Sequence, residues 1–484
     1  MYLVMIVGID VAYINRDYWR NEMHEYDRMH GSLVCLMAVI ILALSFTSLC
    51  RIAHADDAKL KFGSDIRLRY EFQDDFNMKY YGDNPPQGSS NDDGFLLGRF
   101  RAGLDYFPSH MTHLALWMQD AEAWDLAISD SAFYNSTLGD ENNPYKDRWE
   151  LWKAFIETKG LFNLPLGMKA GRQRIFFGDK RVFGPGEWGN TGRWIWDALK
   201  LSYRFDKGFL DMYYGRTMIH NPDQFSLKHR HFYESFGMYS HVDLPKSMYS
   251  IAVEPFFMTK RDNHRRYKGE DGLYGTLDSW YAGFRAYKKD IMGFDWDFTY
   301  VRQFGDYADD DIEAYGYHLL FGYRMKDISM SPRFSFEYSY ASGDSNPYDH
   351  DHGRFDGAFG ARDKMYGRMN LFRWQNIEDA QVNLELEPSE GSYVKAEFHK
   401  FWLAEDKDGW SLNPKAYRDK TGLAGDDVGK EFDIVARYDY TKATQIQVGF
   451  GHFWPGEFTK RLASGEQANW VFLQWEYKFT TGLI

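Results

Sequence analysis

Residues 59–72 read KLKFGSDIRLRYEF, and residues 471–479 read VFLQWEYKF. In the first stretch Leu60, Phe62, Ile66, Leu68, Tyr70 and Phe72 share one parity with Ser64. Lys59, Lys61, Asp65, Arg67, Arg69 and Glu71 share the other with Gly63. The second stretch sets Val471, Leu473, Trp475, Tyr477 and Phe479 against Phe472, Gln474, Glu476 and Lys478. Side chains of a strand point alternately to opposite sides, so each stretch makes one apolar face and one mostly polar face. In a soluble protein the apolar face covers a core. In an outer-membrane barrel it meets lipid, and the charged face lines water.

The rest of the chain favours the barrel. Aromatic residues make up 18% of the sequence, yet the mean hydropathy is −0.56. A barrel reconciles the two, because only alternate residues must be apolar and Trp and Tyr form belts at the interfaces. The one long apolar run, 33–49, follows Arg28 and His30 and precedes Ala53-His54-Ala55. That order of basic, apolar and small residues reads as a signal peptide over 29–55, in preference to an uncleaved anchor helix. Met29 is then the expected start, with 1–28 an extension without coherent pattern, and 56–484 the mature barrel. A lipoprotein reading fails because bulky Leu49 precedes Cys50. Cys35 and Cys50 are the only cysteines and both fall in the leader, so no disulfide or cysteine–metal site is expected. Lys and Arg number 57 against 70 Asp and Glu, a net charge of −13 that argues against nucleic acid as a partner.

Strand-like alternation recurs in eighteen segments between 59–72 and 469–479, an even number as bacterial barrels require. The connections sort by length. Those at 108–110, 206–208, 244–246 and 441–444 are short; those at 73–94, 125–147, 177–194, 259–279, 342–377 and 404–429 are long. Short periplasmic turns facing long external loops are a barrel property. Closure also removes unpaired strand edges, which lipid does not tolerate. The predicted fold is an all-β transmembrane antiparallel barrel of about 18 strands in a Gram-negative outer membrane, in contact with lipid and lipopolysaccharide.

The polar parity carries Arg67, Arg69, Arg99, Arg101, Lys200, Arg204, Arg285, Arg333, Lys395, His399 and Arg437. It also carries Asp65, Asp105, Asp211, Asp295, Asp297, Glu337, Glu397, Asp433 and Asp439. Arginine offers a planar fork that matches a carboxylate, so a ring of these residues suits an acidic solute. The competing role is to pair with the lumenal acids and brace the wall. Residues 171–197 add Arg172, Arg174, Lys180, Arg181 and Arg193 among six glycines and Trp188. This loop is able to fold inward and narrow the pore; Arg172 has the parity of Met168 and Ala170, so a bulge near Gly171 is needed to turn it inward. The carboxylates and imidazoles of 342–354 match no defined metal loop and read as a solvated acidic loop. No metal or cofactor is expected. No G-x-S-x-G elbow, HExxH or comparable catalytic motif is present, and the chain does not read as an enzyme.

Several motifs in order resemble the alginate export family of outer-membrane proteins. They are Gly171-Arg172-Gln173, Gly178-Asp179-Lys180-Arg181, Trp188-Gly189-Asn190-Thr191-Gly192-Arg193 and Asp197. Ser342-Gly343-Asp344, Phe355-Asp356, Phe359 and Tyr366-Gly367 follow, then Phe398-His399-Lys400-Phe401-Trp402-Leu403-Ala404, Val428-Gly429-Lys430-Glu431-Phe432-Asp433 and Gly451-His452-Phe453-Trp454-Pro455-Gly456-Glu457-Phe458. Lys364 stands where the family often has His, and the chain continues past Phe479 to Ile484. The resemblance implies an eighteen-stranded barrel with an electropositive constriction, an anionic polysaccharide as cargo, and periplasmic export or synthesis partners. The expected pore residues are Arg67, Arg69, Arg99, Arg101, Arg172, Arg174, Arg193, Arg285, Arg333, His399 and Arg437. The alternatives are a porin for small solutes and, from another class, a barrel-embedded enzyme such as a lipase.

Overall fold

The computed structural model describes residues 58–82, 92–135, 139–192, 194–222, 230–245, 251–412 and 416–482. Arg193 lies outside them, as does the expected signal peptide, 29–55. Eighteen strands form the wall. They are β1 (Lys59–Asp74), β2 (Asp93–Ser109), β3 (Thr112–Trp124), β4 (Asp147–Thr158), β5 (Leu166–Gln173) and β6 (Trp196–Phe205). Next come β7 (Gly208–Ile219), β8 (Arg230–Asp243), β9 (Ala252–Lys268), β10 (Tyr274–Ile291), β11 (Phe294–Tyr307) and β12 (Asp310–Arg324). The circuit ends with β13 (Arg333–Ala341), β14 (Ile377–Leu386), β15 (Ser392–Trp402), β16 (Asp427–Asp439), β17 (Thr444–Pro455) and β18 (Ala468–Gly482). Each pairs antiparallel with its chain neighbour, and β1 pairs with β18 from Lys61↔Gly482 to Asp74↔Asn469, which closes the sheet.

Burial is inverted relative to a soluble protein. On β18, Leu473 is 56% exposed and Trp475 37%, whereas Gln474 and Glu476 are 6% and 9% exposed. On β1, Leu68, Tyr70 and Phe72 are exposed while Arg67, Arg69 and Glu71 are buried. The apolar face therefore looks outward, as lipid demands. Exposed aromatics collect at both rims: Tyr70, Trp124 and Trp149 at the long-loop end, Tyr203, Tyr323 and Tyr438 at the other.

The lumen is not uniformly polar, which the alternation alone does not foretell. Trp196, Tyr213, Tyr239, Phe256, Tyr281 and Val301 point inward from the wall and meet Phe177, Phe183, Phe355, Phe359 and Trp374 from two loops. Phe183 stacks on Trp196 at 5.3 Å, and Phe359 meets the Trp196 ring edge-on at 4.8 Å. The core of this protein lies inside the barrel and is built around loops 174–195 and 353–376. The expected long loop 259–279 is corrected: β9 and β10 continue beyond the alternation, across a register shift between Asp262 and Tyr267, and leave only 269–273 as the connection.

Candidate pore constriction

The two inward loops are laced together. Gly184 N donates to Phe359 O at 3.1 Å, Phe359 N to Val182 O at 3.1 Å, and Ala361 N to Lys180 O at 2.9 Å. Trp188 N donates to Asp363 Oδ2 at 2.9 Å. Gly186 permits that approach, since a Cβ there would lie 2.0 Å from Asp363 Oδ2.

The first loop is fastened to the wall by arginines. Arg67 donates to Glu187 O and Gly189 O at 3.0 Å each and to Asn190 Oδ1 at 3.1 Å. Arg69 donates to Glu71 Oε1 at 2.7 Å and Trp188 O at 2.8 Å, and its guanidinium lies 3.6 Å from the centre of the Trp188 ring. Asn190 is buried and donates to the carbonyls of Gly98, Glu122 and Tyr145. A buried carbonyl needs a donor, and a fixed loop inside a barrel has many to satisfy.

Other members of the expected set pair along the wall. Arg99 meets Asp65 at 3.1 Å and Glu476 at 3.2 Å. Arg101 donates to Gln119 Oε1 at 2.7 Å and lies 4.1 Å from the Trp152 ring centre. Arg172 grips Asp197 with two bonds of 2.9 and 3.0 Å and Glu150 with one of 3.0 Å. Gly171 takes φ +114° and turns Arg172 inward while the register with β4 and β6 stays unbroken. Arg285 bridges Asp297 and Glu254, the latter at 3.1 Å, and Arg333 bridges Asp295 at 3.0 Å and Glu385 at 2.5 Å. His399 Nδ1 bonds Asp379 Oδ1 at 3.0 Å. Arg437 stands 3.7 Å from Asp439. Arg174 differs from these. It lies half-buried with its guanidinium 5.9 Å from the Trp152 ring centre, and has no ion-pair partner among the described residues.

A cavity of about 420 Å³ opens between the loops and the wall. Its charged lining is basic in excess: Arg181, Lys260, Arg362, Arg368 and Arg373 against Glu71, Asp356 and Asp363. Trp188, Trp194, Trp374, Tyr233, Tyr307 and Tyr366 supply flat apolar surface. Lys260 pairs with Asp356, and Arg368 with Glu397. Arg368 N and Met369 N also donate to Asp433 and Glu431, which docks the second loop on β16. Burial opposes charge on Arg181, but Tyr366, Asp179 and Glu337 hold its pKa above the ordinary value. Burial, with Arg368 beside it, pulls Lys364 below its ordinary value.

The sequence pattern missed Lys260, Arg362, Lys364, Arg368 and Arg373 as lumenal cations. Lys260 fell in the supposed loop 259–279, and the others in a segment read as external. The missed signal is the run from Phe355 through Phe359, Tyr366, Leu371 and Phe372 to Trp374, too apolar for a loop in water. Outside the pore, Asp309, Asp310 and His350 bring donor atoms within 4.8 Å of one another, as do Glu270, Asp344 and Asp349. Their internal bonds, such as Glu270 N to Asp310 Oδ2 at 2.9 Å and Arg418 to Asp344 at 2.8 Å, account for the folding of these loops.

The architecture has solved counterparts. OccAB2 of Acinetobacter baumannii aligns with TM-score 0.56 at 11% identity, over 88% of this chain and 99% of that one. OccK8 (OprE) of Pseudomonas aeruginosa gives 0.54 at 10% identity, over 89% and 99%. OpdK of the same organism, solved with vanillate, gives 0.54 at 10% identity, over 88% and 99%. These likenesses establish the fold. No curated protein is significantly similar in sequence. The family model described as alginate export matches residues 58–473, nearly the whole barrel. The chain belongs to the alginate export family and is an outer-membrane channel barrel.

Proposed function

We propose that the barrel passes an anionic polysaccharide, alginate or a similar polyuronate, from the periplasm to the exterior. The observation that carries this reading is the cationic excess of a cavity walled by aromatic rings, in a chain of this family. Guanidinium and ammonium groups replace water around successive carboxylates, and aromatic faces cover the sugar rings between them. Contacts of this kind are many and individually weak, so a chain binds and still moves on. The expected pore set, Arg67 to Arg437, acts in this proposal partly through shape: Arg67 and Arg69 hold the loop that narrows the lumen.

The cavity's modest volume favours a second reading, a porin for small carboxylates, because pockets of about 300–1,000 Å³ suit small molecules. One experiment separates the two. Purified protein in planar bilayers is tested with oligouronates of increasing length and with neutral oligosaccharides of matched size. Polysaccharide export requires anion-selective conductance, and block that strengthens with uronate length. Block by single acidic sugars with no gain from length transfers the assignment to the small-solute porin. Lack of anion selectivity rejects both.

A further inference from the structure

The narrowing loop carries a carboxylate of its own into the lumen. Glu187 has a 62% exposed side chain, yet its backbone is held on both sides. Its carbonyl accepts from Arg67, and the following amide, Trp188 N, donates to Asp363. Among the described residues the Glu187 carboxylate has one bonded partner, Lys180 Nζ at 2.6 Å.

Two further cations act on it through their charge. Lys364 follows Asp363, whose bond to Trp188 N lies one residue from Glu187, and its charge acts on the Glu187 carboxylate across the contact between the loops. Arg174 lies at the root of the same loop. Neither has a hydrogen-bonded or ion-pair partner among the described residues. Lys180 and Lys364 both hold left-handed backbone, φ +71° and +69°, an unusual conformation for lysine that fixes where each side chain starts. Glu187 responds to this setting: the Lys180 bond chiefly, against burial, and then the charges of Lys364 and Arg174, hold its pKa below the ordinary range.

We propose that Glu187 is a built-in stand-in for the carboxylate of the passing acidic sugar, seated in a one-carboxylate subsite made by Lys180, Lys364 and Arg174. The inference rests on the polyuronate reading above and adds a site to it. Arg99, Arg172, Arg285 and Arg333 are tied by several bonds to fixed acids, whereas Glu187 is held by one bond at an open surface. An exposed pair of this kind is weak and exchanges readily. A uronate carboxylate takes the place of Glu187, and Glu187 returns when the sugar moves on. The cations are thus never left uncompensated, and the carboxylate never meets a site that holds it too tightly.

The test is oligouronate block of single channels in planar bilayers, comparing the parent with Glu187→Gln. Removing the resident competitor should tighten block by about two- to fivefold, the range an exposed ion pair is worth. The reversal potential should shift further toward anions. Heat-modifiability on gels reports whether each variant is assembled. A parent that resists oligouronate block defeats the polyuronate reading itself. A parent that is blocked, with an assembled Glu187→Gln variant blocked no more tightly, overturns only the stand-in. Should Glu187→Gln fail to assemble, Lys180→Met carries the test. It removes one cation and frees Glu187 to pair with Lys364 and Arg174, so block must weaken; unchanged block overturns the proposal.

Discussion

Replacing Arg67 with methionine should loosen the loop that narrows the pore. The side chain makes three hydrogen bonds to that loop, at 3.0, 3.0 and 3.1 Å, and is 3% exposed. Hydrogen bonds to a charged group contribute about 1.5–3 kcal/mol each, and three from one guanidinium are not additive, so a total of about 3 kcal/mol is reasonable. Arg69, the Trp188–Asp363 bond and the lacing to the second loop remain. The docked state therefore persists, but its advantage over undocked states falls by about a hundredfold or more. Single-channel recording should show added flicker and excursions to larger conductance. Arg67→Lys keeps the charge but not the fork, and should fall between the parent and Arg67→Met. Parental conductance and flicker with altered ion selectivity would refute the tether and make Arg67 a lumenal charge instead. Parental behaviour in every respect would mean that the loop stays docked without it.

On the lipid face, Trp475→Arg should cost about 2–4 kcal/mol near the bilayer midplane and impair assembly in a heat-modifiability assay, whereas Glu476→Gln should assemble. Equal behaviour of the two would invert the facing. External protease on intact cells should cut near the exposed Tyr348 or Leu423, and spare both the inward segment 353–376 and the turn between β6 and β7 at 206–207. Cutting at 206–207 from outside would reverse the topology. His350 is exposed, and its bond to Asp310 raises its pKa above 6.5. A raised pKa stabilises the loop fully below pH 6.5, and that contribution is lost as pH rises through the raised value. Protease cleavage around Tyr348 should accordingly quicken with rising pH, and the His350→Ala variant should lack the trend.

The wall was legible because lipid imposes a period of two on every strand. Leu68, Tyr70 and Phe72 must alternate with Arg67, Arg69 and Glu71, and no tertiary accident can hide that. Loop lengths sorted the connections to the two ends of the barrel for the same reason, except where β9 and β10 outran their alternation near Asp262 and the expected loop 259–279 shrank. The constriction was less legible because its residues obey no strand period. Arg67 and Arg69 were visible as lumenal, but that their partners are the backbone carbonyls of residues 187–189, some 120 positions away, is a fact of closure. The loop's contribution had one readable sign. A segment with Phe355, Phe359, Tyr366, Phe372 and Trp374 between the wall strands β13 and β14 has no reason to be so aromatic unless it leaves the water. Inside a barrel the only apolar refuge is the lumen, so the aromatic loop and the inward aromatic ends of the strands specify each other. That pairing sets where the pore narrows. The charges around the narrowing then divide by their bonds: groups locked to fixed acids shape the wall, and Lys180, Lys364 and Arg174, facing one loosely held carboxylate, are left to meet what passes.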